Sequence, residues 1–157
     1  MLLPRDLLTS ACYQLLPLLL RALDLPELDL RANVVDTLAL LVKDTPEAIK
    51  GHAGSIVSTL LRMALCENPA TDSEAAAVSF IELVETNRTY GRCSLQNLRI
   101  AALKCLTVFP DSLDWLTLHQ QKQPVLKALA TAVDDPKKRV RKEAVDCRAR
   151  WYLFKAP

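Results

Sequence analysis

The chain has 157 residues, half of them hydrophobic, with a charged fraction of 24% and an aromatic fraction of 5%. This balance excludes intrinsic disorder and suits one domain with one buried core. The formal net charge of +2 gives no overall field toward nucleic acid. Because glycine and aromatic residues are scarce while leucine and alanine are abundant, we predict an all-α protein.

The N-terminal region and the cysteines restrict the cellular context. The longest leucine-rich run, residues 15–20, contains Pro17 and is far shorter than the roughly 20 apolar residues of a membrane span. The first residues lack the basic start and apolar core of a signal peptide. An odd number of scattered cysteines is typical of reduced thiols. We therefore expect a cytoplasmic or nuclear protein that does not enter a membrane.

Three segments align as a repeat when Arg31, Arg99 and Arg141 are placed in one column. Apolar residues follow each arginine at steps of three and four, which is one face of an α-helix. A turn bearing Pro or Asp precedes each segment, and another helical segment precedes each turn. These earlier segments are predicted at 14–23, 52–65 and 124–133. The pattern predicts an α-solenoid of about three helix pairs.

The spacing of the repeat is uneven. Arg99 and Arg141 are separated by a distance that suits a two-helix repeat of about 40–47 residues, whereas Arg31 and Arg99 are much farther apart. The surplus falls in 66–94, an insertion in the middle repeat, where 75–85 is apolar enough for a short helix. The insertion is either a plain surface loop or a partner-binding segment, since insertions in solenoids lie on one face.

The two ends of the predicted solenoid differ. The first helix is apolar on more than one face, so we expect another element to pack on its outer side. The last helix has a narrow apolar stripe, and charged residues occupy the rest of its surface. A polar outer face of this kind is typical of the terminal repeat of a solenoid. We therefore expect 1–157 to be a single domain at the C-terminal end of a longer solenoid.

Catalytic and metal-binding patterns are missing from the sequence. His52 and His119 lie far apart, outside any HExxH pattern, and no CxxC pair or glycine-rich phosphate loop occurs. Cys105 and Cys147 share an inward column, where small buried hydrophobic residues are expected. We predict that the chain is not an enzyme and holds no metal or cofactor.

The one dense charge run is 137–142. It is either the solvated face of the last helix or a nuclear-import or nucleic-acid patch. Cations at a helix N-terminus oppose the macrodipole, and Asp134 and Asp135 just upstream offset that cost. We expect Arg141 to reach back to Asp135 and brace the turn. The remaining cations form a basic surface suited to an acidic partner.

The residues of the last repeat resemble HEAT repeats, in which a turn aspartate is followed by a Val-Arg pair; Asp135, Val140 and Arg141 match this pattern. Three strings resemble more closely the C-terminal HEAT-repeat domain of the large adaptor subunit of the cytosolic iron–sulfur protein assembly targeting complex. That family is named for methyl-methanesulfonate sensitivity and nucleotide-excision repair. The strings are 15–20 (LLPLLL), 99–105 (RIAALKC) and 140–145 (VRKEAV) leading to Trp151. The likeness covers about 14–65 and 95–154, and the insertion departs from it.

The resemblance implies a scaffold without catalysis or a cofactor of its own. In that family the C-terminal repeats dock a small α+β subunit held by a WD-repeat propeller, and the assembly delivers clusters to apo-proteins such as DNA repair and replication enzymes. It acts in the cytoplasm and nucleus. We assign the docking to exposed cations of the last helix: Lys138, Arg139, Lys142 and Arg148. We assign structural roles to Asp135, Val140, Arg141, Ala144 and Trp151.

Two other functions remain open for this solenoid. It could bind nucleic acid, or a transport partner, through the basic last helix. Near-neutral charge and the lack of an aromatic platform for stacking bases argue against nucleic acid. HEAT arrays serve many kinds of scaffold, so the fold does not decide between the partners.

Overall fold

The computed structural model describes residues 5–65 and 90–156, and every regular element within them is helical. Its elements are α1 (Arg5–Ala22), α2 (Leu28–Asp44), α3 (Pro46–Ile49) with a 3-10 turn (Lys50–His52), α4 (Ala53–Ala64), α5 (Tyr90–Ser112), α6 (Trp115–Ala132) and α7 (Lys138–Leu153). The predicted all-α class is confirmed. The short helix expected at 75–85 and most of the insertion lie outside the described residues, and residues 90–94 belong to α5.

The helices pack in consecutive pairs. Helix α1 packs on α2, α4 on α5, and α6 on α7. Helix α5 also packs on both α2 and α7, so the second helices of the three pairs form one layer. The first helices form the other layer, in which α3 contacts α1 and α4 contacts α6. This two-layer stack is the α-solenoid that the arginine column predicts.

One continuous apolar core lies between the two layers. Each second helix contributes residues at steps of three and four, which places them on one face. They include Val35, Leu38 and Val42 of α2, Leu98, Leu106 and Phe109 of α5, and Val140, Ala144, Cys147 and Trp151 of α7. Each helix is therefore oriented by its buried row, and this orientation decides which side chains face solvent.

Helix α6 begins nine residues before the predicted start at Pro124, so that prediction was wrong. Asp114 caps the helix, since its carboxylate accepts a hydrogen bond from the backbone N–H of Thr117 at 3.1 Å. Pro124 lies inside the helix on its exposed side, as does Gln120 four residues earlier. Water can therefore hydrate the Gln120 carbonyl, which has no N–H of residue 124 to accept from.

A second internal proline creates a gap that another helix fills. Pro110 lies within α5 and has no N–H to donate to the carbonyl of Leu106, four residues earlier. The indole Nε1–H of Trp151 donates to that carbonyl instead, at 2.9 Å. Trp151 and Leu106 are both fully buried. Trp151 therefore joins α7 to α5 through its hydrogen bond as well as through its volume.

The outer face of α1 remains apolar and exposed. Leu7, Leu15 and Leu18 are each at least half exposed, while Cys12 and Leu16 of the same helix are buried. The helix thus carries apolar side chains on two faces, as the sequence predicts. None of the described helices is long and apolar enough to cross a lipid bilayer.

Helices α4 and α6 approach each other closely at Gly54. An ideal Cβ at this position would lie 2.9 Å from Nε2 of Gln121, and a Cβ at Gly51 would meet nothing within 4 Å. The contact at Gly54 involves only the end of a flexible side chain. A larger residue there would displace Gln121 before it disturbed the packing of the helices.

Candidate docking surface

The arginine column fixes the turn that precedes each second helix. Arg31 Nε donates to the carbonyl of Leu25, just beyond α1. In the last unit, Arg141 Nη1 donates to the carbonyl oxygens of Asp135, at 2.7 Å, and Pro136, at 3.1 Å. In both units the same column position therefore binds carbonyls of the turn that precedes the second helix. Arg141 does reach back to Asp135, but to its backbone.

The middle arginine of the column, Arg99, binds two units at once. Arg99 is buried, and its Nε donates to the carbonyl of Ala64 at the end of α4, at 2.9 Å. Its Nη2 forms an ion pair with the buried carboxylate of Asp135 in the following turn. The other oxygen of that carboxylate accepts from the backbone N–H of Lys137 at 2.8 Å. Removing one partner of such a pair typically costs about 3–5 kcal/mol, because the other charge stays buried.

The pairing of Asp135 with Arg99 was missed by the sequence analysis, which joined Asp135 to Arg141. The carbonyls of the turn occupy the Arg141 guanidinium, so the carboxylate is free to turn toward the previous unit. The column itself identified Arg99, but its ion pair depends on how neighbouring units stack. This pair fixes the beginning of α7, the helix that carries the predicted docking residues.

All four predicted docking cations of α7 are exposed. Lys138, Arg139, Lys142 and Arg148 form no ion pair with any carboxylate in the described part of the chain. Lys138 and Lys142 lie one turn apart on the same side. Arg139 and Arg148 are nine positions apart, which at about 100° per residue places them on opposite sides of the helix. The four cations therefore share a helix but not a face.

An open groove of about 690 Å³ runs between α5 and α7 and reaches the end of α2. The carboxylates of Glu143 and Asp146 line it on the α7 side, with Lys104 of α5. Arg150 Nη1 lies 3.5 Å from Oδ1 of Asp111 across the groove. Positive and negative side chains thus alternate across this flank of α7, which gives it little net charge for a partner to recognise.

The second helices of the last two units each carry a buried thiol, Cys105 and Cys147. Burial raises the pKa of Cys105 to about 12, and burial likewise raises the pKa of Cys147 to about 12. Both are neutral thiols at physiological pH, and the reactive form of cysteine is the thiolate. No group of three or more His, Cys, Asp or Glu side chains is arranged to hold a metal ion within 5–65 and 90–156.

A surface ion-pair cluster joins the 3-10 turn to the start of α6. Lys50 Nζ lies 2.8 Å from Glu47 Oε1 and 3.5 Å from Asp114 Oδ2. The hydrogen bond with Glu47 and the charge of Asp114 raise the pKa of Lys50, although partial desolvation opposes them. Hydrogen bonds from the hydroxyl and N–H of Thr117, together with Lys50, lower the pKa of Asp114. The cluster favours the charged forms of both groups.

The C-terminal segment folds back onto α6. Lys122 Nζ of α6 donates to the carbonyl of Tyr152 at 3.2 Å and to that of Phe154. The same ammonium lies 5.6 Å from the ring centroid of Trp115, and the Phe154 ring lies 5.3 Å from that of Trp115. A cation is favourable at the carbonyl end of a helix, so Lys122 holds the end of α7 in place.

Comparison with known proteins identifies the family. The family model MMS19_C, described as "RNAPII transcription regulator C-terminal", matches residues 1–110. The chain belongs to this family. The family predicted from the sequence, named for methyl-methanesulfonate sensitivity and nucleotide-excision repair, is confirmed.

Relatives from animals and fungi match almost the entire chain. The MMS19 nucleotide excision repair protein homolog of Xenopus tropicalis is 34% identical over 99% of the chain, and that of Homo sapiens is 30% identical over 99%. The DNA repair/transcription protein mms19 of Schizosaccharomyces pombe is 23% identical over 96%. The chain spans only 12% of the length of each of these relatives.

Proposed function

We propose that this chain is a docking module of a non-catalytic scaffold that serves DNA repair and transcription proteins in the cytoplasm and nucleus. Its last repeat holds the small α+β subunit and the WD-repeat propeller of the cytosolic iron–sulfur targeting complex. The assembly then delivers clusters to apo-proteins such as DNA repair and replication enzymes. The chain contributes shape and charge, and the cluster is cargo held by other subunits.

The observation that carries this proposal is the state of the cations on α7. Lys138, Arg139, Lys142 and Arg148 are exposed and unpaired on a helix whose position is fixed by a buried tryptophan and a buried ion pair. Ordering flexible groups costs free energy on binding, so a rigid helix with free charges is prepared for a partner. Membership in the MMS19 family and the resemblance to the adaptor subunit support the choice of that partner.

Size-exclusion chromatography of the chain with the purified propeller–small-subunit pair tests the proposal at low and at physiological salt. We expect co-migration that weakens as salt rises, because exposed charges are screened. Charge reversal at Lys138 and Lys142 together should abolish co-migration at physiological salt. Charge reversal of Lys43 and Lys104 together, two exposed cations on α2 and α5, is the matched control. Absence of co-migration in both buffers would refute the proposed partner.

A mobility shift with labelled duplex and single-stranded DNA distinguishes the nucleic-acid alternative. Binding through a basic helix would weaken steeply with salt, in proportion to the number of phosphates contacted. We expect no shift at physiological ionic strength. A shift that Lys138 and Lys142 charge reversal removes would favour nucleic acid over the protein partner.

A further inference from the structure

Helix α7 carries a second stripe beside its buried row. Its members follow one another at steps of three and four, which places them on one side of the helix. They are Lys138, Arg141, Val145, Arg148 and Tyr152. Glu143 and Asp146 line the groove with α5 and lie on one side of the buried row. At about 100° per residue, the stripe lies on the other side of that row. The stripe therefore faces away from the neighbouring repeat.

The stripe is apolar as well as basic. Val145 is 52% exposed and Tyr152 is 67% exposed, which is high for apolar side chains in the last helix of a solenoid. The sequence predicts a polar outer face here, and these two residues depart from it, as does Leu153, which is 69% exposed on the groove flank. Exposed aromatic and aliphatic side chains flanked by arginine are the composition typical of protein interfaces.

The stripe contains no carboxylate, and neither does the part of the chain that forms α6. The acidic side chains Glu143 and Asp146 of α7 lie on the groove flank, and α6 has no Asp or Glu from Trp115 to Ala132. Lys138 and Arg148 consequently have no partner of opposite charge within the described residues. The separation of charge on the two flanks of α7 leaves one of them positive and uncompensated.

The C-terminal end of the stripe is held rigidly. Lys122 binds the carbonyl of Tyr152, and the rings of Trp115 and Phe154 pack against each other directly beyond it. Arg141 is held at the other end by the carbonyls of the turn. The backbone of the stripe is thus held at both ends, and it carries two unpaired cations and two exposed apolar side chains.

We propose that this stripe docks an acidic polypeptide segment whose carboxylates flank an apolar side chain. The carboxylates pair with Lys138 and Arg148, and the apolar side chain covers Val145 and Tyr152. This inference rests on the proposed function; of its four cations it keeps Lys138 and Arg148, and it replaces Arg139 and Lys142 by Val145 and Tyr152 in the contact. Nucleic acid fits less well, because a phosphate backbone would lie over Val145 without gaining a contact from it.

Three single variants test the assignment in the binding assay with the propeller–small-subunit pair. Arg148→Glu and Tyr152→Ala should each weaken binding by about tenfold or more, as interface anchors do. Arg150→Glu is the matched control, since it makes the same charge change in the same helix but on the groove flank, and it should change affinity by less than about threefold. An Arg150→Glu loss equal to that of Arg148→Glu, with Tyr152→Ala without effect, would overturn the assignment.

A second measurement tests the stripe even if that pair does not bind. Nuclear magnetic resonance of the chain is recorded with a synthetic amphipathic helix made of leucine and glutamate, with a leucine–lysine helix as the control. We expect shifts centred on Val145, Arg148 and Tyr152 with the acidic peptide only. Shifts confined to the groove, equal shifts with both peptides, or stronger shifts with duplex DNA would each overturn the proposal. Failure of the pair to bind, with the acidic peptide still on the stripe, would refute the partner alone.

Discussion

Trp151 is predicted to stabilise the last repeat in two separable ways. Its side chain is fully buried, and replacing such a tryptophan by alanine typically costs about 3–5 kcal/mol. Its indole also supplies the hydrogen bond that Pro110 cannot give to the carbonyl of Leu106. Leaving a buried carbonyl without a partner costs about 1–3 kcal/mol. Trp151→Ala should therefore lose both contributions, and Trp151→Phe mainly the second.

A double-mutant cycle isolates the hydrogen bond from the volume. Pro110→Ala restores a backbone N–H that can donate to Leu106, so it should rescue part of the loss in Trp151→Phe. The cavity left by Phe is common to both halves of the cycle and cancels. We expect a coupling free energy of about 1–2 kcal/mol between positions 110 and 151.

Urea unfolding followed by far-ultraviolet circular dichroism measures these free energies for the four chains of the cycle. In a domain of this size each kcal/mol corresponds to a shift in melting temperature of about 2–4 °C, so thermal melts provide a check. If Trp151→Phe costs the same with proline as with alanine at position 110, the indole does not replace the missing N–H. An unchanged melting temperature in Trp151→Ala would show that the side chain is not part of the core.

Three further predictions concern thiols, glycines and pH. Because burial raises the pKa of Cys105 and Cys147 to about 12, the reactive thiolate is scarce at neutral and mildly alkaline pH, and we expect an alkylating reagent to label both far more slowly in the native chain than in urea. Mass spectrometry measures the labelling, and fast native labelling would contradict their burial. Gly51→Ala should raise the free energy of unfolding in urea by about 0.5–1 kcal/mol, because a Cβ at that position meets no other atom. Gly54→Ala should raise it by less, because its Cβ must displace the side chain of Gln121. A larger gain from Gly54→Ala than from Gly51→Ala would contradict the close approach of α4 and α6. At pH values above the usual pKa of an aspartate, Asp114→Ala should lower the melting temperature of the chain, because the folded state lowers the pKa of this carboxyl. The difference in melting temperature between the variant and the original chain should vanish as pH falls through that lowered pKa. A difference that persists in acid would exclude the charged cap.

The repeat could be predicted from the sequence because it depends on local periodicity. The column of Arg31, Arg99 and Arg141 located all three second helices, and the apolar steps around it gave their buried rows. The start of α6 could not be found in this way. Proline is common in the first turn of a helix, so the sequence places a helix start at Pro124. The helix instead begins at Trp115, and it tolerates Pro124 in its interior because that side of the helix is exposed.

Contacts between units were the part that sequence could not supply. The partner of Asp135 depends on whether its carboxylate turns toward Arg141 of its own unit or Arg99 of the previous one. The bond from Trp151 to Leu106 likewise depends on the distance between two helices. Charge alone identifies the docking cations in the sequence, and charge does not distinguish the groove flank of α7 from its outward stripe.

The central proposal is that the last helix of this chain is a docking surface for a protein partner. Hydrogen–deuterium exchange of the chain, alone and with the propeller–small-subunit pair, tests that claim most directly, because it reports which backbone amides the partner protects. We predict slower exchange in peptides from α6 and α7 and unchanged exchange in α1 and α2. Protection of α1 and α2 with none in α7, or no protection anywhere, would contradict the account.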